Sequence, residues 1–178
     1  MEATEQEELN GLHPAKLKAI TESFRDPEVL KAVSGPWRAR VQSQGGFRAK
    51  AYMRTHTIAM DEPDGLDATD TAASAHEYIL SAVGSYMMVG FVLNATKRGI
   101  KIRDLEIAVE GSFEHIGKWA GVSDTGNPGY GSIKAKAFVS ADADEATIRE
   151  LWRLAVDGSP VTQTVMREAR VETECEVV

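Results

Sequence analysis

Residues 74–91 read Ser-Ala-His-Glu-Tyr-Ile-Leu-Ser-Ala-Val-Gly-Ser-Tyr-Met-Met-Val-Gly-Phe. Apolar or small side chains fill nearly every position from Tyr78 to Phe91, so no amphipathic stripe survives. Such a helix is expected to be covered on all sides, and it carries one polar handle, Tyr86, near its middle. The apolar run 78–93 is interrupted by serines and falls short of the ~20 residues that a membrane span requires. A buried helix from about Ala73 to Lys97 is predicted. Lys97 and Arg98 suit the negative end of its dipole, and Gly99 stops it.

The rest of the chain is consistent with one soluble domain built around that helix. Its 178 residues suffice for a sizeable core, and 43% hydrophobic with 26% charged residues is ordinary for a globular protein. A formal net charge of −7 with no basic run argues against nucleic acid and anionic membranes as partners. The single cysteine, Cys175, rules out an intrachain disulfide, and the four histidines show no metal-ligand spacing. No metal and no cofactor are expected. The acidic start, Met-Glu-Ala-Thr-Glu-Gln-Glu-Glu, does not read as a secretory signal, and a cytoplasmic location is the default expectation.

Before the central helix, Pro14 and Pro27 each open a short helix, the second capped by Asp26. Residues 38–44 alternate as a strand, Gly45-Gly46 turns, and 47–60 alternates as one long second strand. Residues 61–70 form a polar loop. After the helix, 100–111 and 132–140 read as strands around an irregular glycine-rich stretch, 119–130. Residues 143–156 form an amphipathic helix with Ile148, Leu151, Trp152 and Ala155 on one face. A short helix at 160–168 and a last strand at 170–177 complete the chain. Strands grouped on either side of one long helix indicate an α+β class. One small sheet cannot cover such a helix, so a partner subunit is expected.

A second segment, Asp157-Gly-Ser-Pro-Val-Thr-Gln-Thr-Val, combines with the helix to give a family resemblance. Together they resemble the OsmC/Ohr family of thiol-dependent organic-hydroperoxide reductases. That family shows a Pro-x-Glu-x-Leu-Leu-x-Ala-Leu-x-Ser-Cys run and a later Cys-Pro-Val. Asp61-Glu62-Pro63, Lys97-Arg98-Gly99-Ile100, Glu110-Gly111 and Gly129-Tyr130-Gly131 support the likeness by their order. It implies an OsmC/Ohr-like fold, with an antiparallel sheet and a long buried central helix, assembled as an intertwined homodimer with active sites at the subunit interface. It covers residues 36–178, leaving 1–35 as an N-terminal helical extension.

The resemblance also places Tyr86 where the family has its first reactive cysteine and Ser159 where it has the second. Peroxide reduction needs a thiolate to attack the O–O bond and a second thiol to resolve the sulfenic acid. A phenol with a pKa near ~10 and a serine do neither. Cys175, between Glu174 and Glu176, is a poor thiolate. The family also uses a first-strand arginine held by a glutamate. Arg38, Arg40, Arg48 and Arg54 are the arginines available, and sequence alone does not say which points inward. A count of ten back from Tyr86 puts the glutamate's place at His76, with Glu77 one position on.

The candidate catalytic residues are therefore Tyr86, Ser159, Arg40, His76 and His56. Arg54, Glu77, Met87, Trp119 and Tyr130 are candidates for ligand contact. Each has a structural alternative: Tyr86 as a buried aromatic whose hydroxyl finds a partner, Ser159 as the N-cap of the helix that Pro160 opens, His76 as a first-turn polar residue, and Trp119 and Tyr130 as core anchors. The leading expectation is cofactor-independent acid–base chemistry, of hydrolase or isomerase type, on a small carbonyl compound in an apolar pocket at the dimer interface. The alternative is a non-catalytic protein that binds a small apolar molecule. A residual organic hydroperoxide reductase is the least favoured reading.

Overall fold

The computed structural model describes residues 8–167 and 169–177. Two compact units, Met1–Ser81 and Ala82–Val178, divide the chain within its central helix.

In the first unit, α1 (Pro14–Ser23) and α2 (Pro27–Ser34) start at prolines, and the Asp26 carboxylate accepts from the Glu28 N–H as the cap of α2. Three antiparallel strands follow, β1 (Arg40–Ser43), β2 (Ala49–Met53) and β3 (His56–Met60), in the order β1-β2-β3. Gly45 and Gly46 both take positive φ at the first turn, as glycine allows. The predicted long second strand is two strands. Met53 pairs with His56, and Arg54 bends the chain back at φ 54°. The alternation over 47–60 hid the break, because Met53-Arg54-Thr55-His56 lacks the Asn-Gly or Asp-Gly chemistry that marks tight hairpins.

The central helix, α3 (Ala75–Lys97), begins at a capping box. The Glu77 carboxylate accepts from both the N–H and the hydroxyl of Ser74, at 2.8 and 2.9 Å. The Tyr78 hydroxyl donates to the carbonyl of Ala59 at 2.9 Å and ties this first turn to β3.

In the second unit, α3 continues against a two-stranded antiparallel sheet of β4 (Ile102–Phe113) and β5 (Tyr130–Ala141). Both strands alternate half-buried and exposed side chains. A short helix, α4 (Ile116–Trp119), lies in the glycine-rich connection, and Phe113 stacks on Tyr130 at 4.7 Å where the hairpin opens. Next come α5 (Glu145–Asp157), capped by Asp144, and α6 (Pro160–Met166), capped by Ser159. The core joins Phe91 and Ala95 of α3 to Leu151 and Ala155 of α5, with Ile102, Leu105 and Val139 packed around them. Arg98 makes a bidentate ion pair with Glu150, at 2.8 and 2.9 Å, that joins the end of α3 to α5 and holds the Glu150 carboxyl below its ordinary pKa.

By length and composition α3 could cross a membrane, yet Val83, Gly84, Met87, Phe91, Ala95 and Thr96 are buried within the fold. It is the core helix of this protein. Cover on all sides is not what the chain shows: Tyr86 is 44% and Val89 55% exposed. The last strand expected over 170–177 is absent. Residues 169–177 form no regular structure and bond to no strand among the described residues.

Two glycines let α3 approach its neighbours. A Cβ on Gly84 would lie 2.9 Å from Val109 Cγ2, and one on Gly90 would lie 3.0 Å from the Ala155 Cα and 3.2 Å from its carbonyl oxygen. At Gly90 the obstacle is backbone, which yields little. Gly90→Ala should lower stability by about 1–3 kcal/mol, the range for overpacking a tight contact. Urea unfolding followed by circular dichroism measures it, with Gly65→Ala, whose Cβ would meet nothing within 4 Å, as the control.

Candidate functional site

An apolar cleft of about 300 Å³ opens in the second unit, between α3, β5, α5 and α6. Val83 and Met87 form its α3 wall, Ile133 and Ala135 its β5 wall, Trp152 and Val156 its α5 wall, and Thr162, Val165 and Met166 its α6 wall. No charged side chain lines it among the described residues. The α3 wall follows from spacing: positions 83 and 87 are one helical turn apart and share a face. That volume is at the lower end of small-molecule pockets.

Ser159 lies beneath the α6 wall and is 1% exposed. Its hydroxyl oxygen accepts from the N–H of Thr162 at 3.2 Å and from the Thr162 hydroxyl at 2.8 Å. This is the N-cap geometry of a Ser-Pro helix start. With that oxygen engaged by two donors and no histidine bonded to it, Ser159 is built as a cap rather than as an activated nucleophile.

The other candidates are distributed as follows. Met87 is buried and lines the cleft. Tyr86, the next residue back, lies ~100° around the helix and presents its ring on the exposed side of α3. Trp119 is exposed on α4, and Tyr130 is stacked on Phe113. Neither lines the cleft. The remaining five belong to the first unit. Arg40 is exposed on β1, opposite Tyr52, and Arg54 is exposed in the β2–β3 turn. His56 is exposed at the start of β3 rather than alternating with Arg54 along one strand. His76 and Glu77 meet on one residue: the His76 ring nitrogen is 3.1 Å from the Ser74 hydroxyl oxygen, which donates to Glu77. The two Ser74 hydrogen bonds hold the Glu77 carboxyl below its ordinary pKa.

In sequence Trp152 reads only as part of the apolar face of α5 and Thr162 only as part of a short helix; that both line one cleft depends on how α5 and α6 pack. Asp61, read as one residue of a polar loop, is the other group that sequence left unmarked. It is 1% exposed, and its carboxylate accepts from the Thr69 hydroxyl at 2.6 Å, the Thr71 N–H and hydroxyl at 3.0 and 2.9 Å, and the Glu62 N–H at 2.9 Å. Four donors stabilise its ionised form, and the Thr69 hydroxyl leads in holding its pKa far below the usual carboxylate range.

A family model described as OsmC-like protein matches residues 68–174. Among solved structures, the chain resembles an OsmC-like protein from Mycoplasma pneumoniae, with a TM-score of 0.63 and 16% identity over 74% of this chain and 88% of that one. A putative osmotic stress induced and detoxification response protein from Psychrobacter arcticus gives a TM-score of 0.60 at 17% identity, covering 73% and 88%. An organic hydroperoxide resistance protein, OsmC, from Legionella pneumophila gives 0.56 at 13%, covering 74% and 89%. No curated protein matches the chain. At these identities the structural likeness establishes the fold, α+β of the OsmC/Ohr kind, and the family match spans both Tyr86 and Ser159. Laid on this sequence, the Glu-to-Cys spacing of the family run is nine, which reaches Glu77 from Tyr86. That count favours Glu77 over His76 for the glutamate's place, and Ser74 holds the Glu77 carboxylate in this structure.

The Asp61 shell sets an acid dependence. Its folded-state pKa is depressed, so its stabilisation is complete above the unfolded value near ~3.9 and is lost as pH falls toward the folded value. Wild-type stability should therefore decline steeply between about pH 4 and pH 2. Asp61→Asn should be less stable at pH 7 and show a shallower decline, as read from denaturant midpoints across that range.

Proposed function

Because the chain belongs to the OsmC family, we propose that it keeps the family's architecture without its thiol chemistry and holds a small, uncharged, apolar molecule. The lining of the cleft carries this reading: nine side chains with no charge among them, and a single hydroxyl, on Thr162, already donating to Ser159. An anionic ligand would be desolvated there without compensation. Relatives named as organic hydroperoxide resistance proteins place peroxide chemistry in the family. Here the resemblance puts Tyr86 and Ser159 where the two sulfurs would stand, and the sole cysteine, Cys175, is exposed near the C-terminus.

Acid–base chemistry on a carbonyl compound, the leading expectation from sequence, has less behind it than binding. Ser159 serves as a cap, and the imidazole of His76 is engaged with Ser74. Of the two polar side chains at the reactive positions, Tyr86 is the one free to donate a hydrogen bond to a ligand, from the exposed face of α3. A homodimer belongs to the same proposal. Tyr86 and Val89, three residues apart on the core helix, are both exposed, and a second copy laid on them would remove them from water. An obligate interface buries upward of ~2,000 Å². A soluble, cytoplasmic setting accompanies this reading.

Three measurements test it. The neutral fluorophore N-phenyl-1-naphthylamine should bind with a blue-shifted emission, and Val165→Trp, which fills the cleft from its half-exposed rim, should weaken that binding at least tenfold; equal binding by both proteins rejects the cleft. Cumene hydroperoxide with a dithiol reductant should not turn over, and turnover abolished by Cys175→Ser would reverse that part of the proposal. Sedimentation at low micromolar concentration should give a dimer, and a folded monomer would reject the interface.

A further inference from the structure

We propose that the molecule held in the apolar cleft carries a hydroxyl group, as a neutral phenol or alcohol does, and donates its proton to Thr162; the cleft's role as a ligand site, on which this inference rests, is the reading given above. Of the nine side chains on its walls, Val83, Met87, Ile133, Ala135, Val156, Val165 and Met166 are aliphatic or thioether groups. The side-chain groups left to form ordinary hydrogen bonds are the Thr162 hydroxyl on the α6 wall and the Trp152 indole N–H on the α5 wall. What those two groups still have to offer decides which ligand fits.

A threonine hydroxyl has one proton and two lone pairs. At Thr162 the proton is committed, because Oγ1 donates to the Ser159 hydroxyl oxygen at 2.8 Å. That acceptor is fixed in turn. Ser159 is 1% exposed, and the same oxygen takes the Thr162 N–H at 3.2 Å as the N-cap of α6. Thr162 is itself buried, so bulk water does not compete for its lone pairs. Toward anything in the cleft, Thr162 is therefore an acceptor and not a donor. Trp152 has the opposite character. Its indole N–H can only donate, and no hydrogen bond engages it among the described residues. A hydroxyl is the smallest neutral group that can give a proton to the one and take a hydrogen bond from the other. A ketone, ester or ether can meet Trp152 but not Thr162, and a carboxylate or ammonium group would lose its hydration without a counter-charge.

The apolar walls make the sign of the preference diagnostic. A hydroxyl that enters such a cleft and finds no acceptor is desolvated without return, so a phenol would bind less well than its more apolar methyl ether. With an acceptor in place the order inverts, because the ether leaves that acceptor unpaired. Acidity does not confuse the comparison, since a phenol with a pKa near ~10 keeps its proton at neutral pH.

The probes are p-butylphenol and p-butylanisole, each competing with N-phenyl-1-naphthylamine for the full-length protein at pH 7. In wild type the phenol should displace the dye about threefold or more better than its ether, the scale of one net hydrogen bond. Thr162→Val, nearly isosteric but without the oxygen, should reverse that order, and Thr162→Ser should restore it, with circular dichroism and dye binding showing that each variant is folded. An ether that equals or outcompetes the phenol in wild type overturns the inference, and that comparison needs no variant. Displacement by neither compound, with the dye bound, also counts against it and leaves the cleft standing. A phenol preference that survives Thr162→Val puts the acceptor elsewhere and overturns the role of Thr162. Wild type that fails to bind the dye, or binds it no better than Val165→Trp does, removes the cleft reading itself.

Discussion

Close contact between backbones, made possible by two glycines in α3, is the constraint on which the second unit depends. Gly84 admits Val109 of β4, and Gly90 admits Ala155 of α5. With those approaches in place, Phe91 and Ala95 reach Leu151, and the Arg98–Glu150 pair closes at the end of the same helix. Gly84 lies between Val83 and Met87 in sequence, so the approach to the sheet also sets the α3 wall of the cleft. The glycines cost helix propensity. In exchange, a helix apolar on all sides meets a sheet on one face and a second helix on another.

That arrangement was legible in the residues to different depths. The long helix, its stop at Gly99, the β4–β5 pair and the amphipathic face of α5 all follow from periodicity. Ser159 as a cap follows from the Ser-Pro pair. The β2–β3 hairpin was not legible, because its turn residue is an arginine held at positive φ, a conformation that composition does not announce. The Asp61 shell was hidden for a different reason: its donors, Thr69 and Thr71, come from a polar stretch that looks the same whether it is solvated or folded on itself. The missing last strand is the converse case. Its alternation is clear, but alternation specifies only that a strand has two faces. The edge that would receive it is a tertiary property.

The chemistry of the family and the residues of this chain pull in different directions, and the fold shows why both persist. The scaffold that aims the two reactive positions is made of capping, glycine approach and helix packing, none of which requires sulfur. Glu77 and Ser159 both serve the fold directly. Glu77 completes the capping box of α3, and Ser159 caps α6. Tyr86 holds nothing of that kind within the chain, being exposed on α3, and so the question of function narrows to what covers that side of the helix.

The loop before α3 has a further consequence, in the order of assembly. Its contacts are all short in sequence: Asp61 is satisfied by Glu62, Thr69 and Thr71, and Ser74 by Glu77. Closing loops of that size costs little entropy, and local contacts form ahead of distant strand pairing. The first turn of the helix can thus be fixed before either sheet exists. The starting point of the helix is thus decided by hydrogen bonds that close within the segment leading into it.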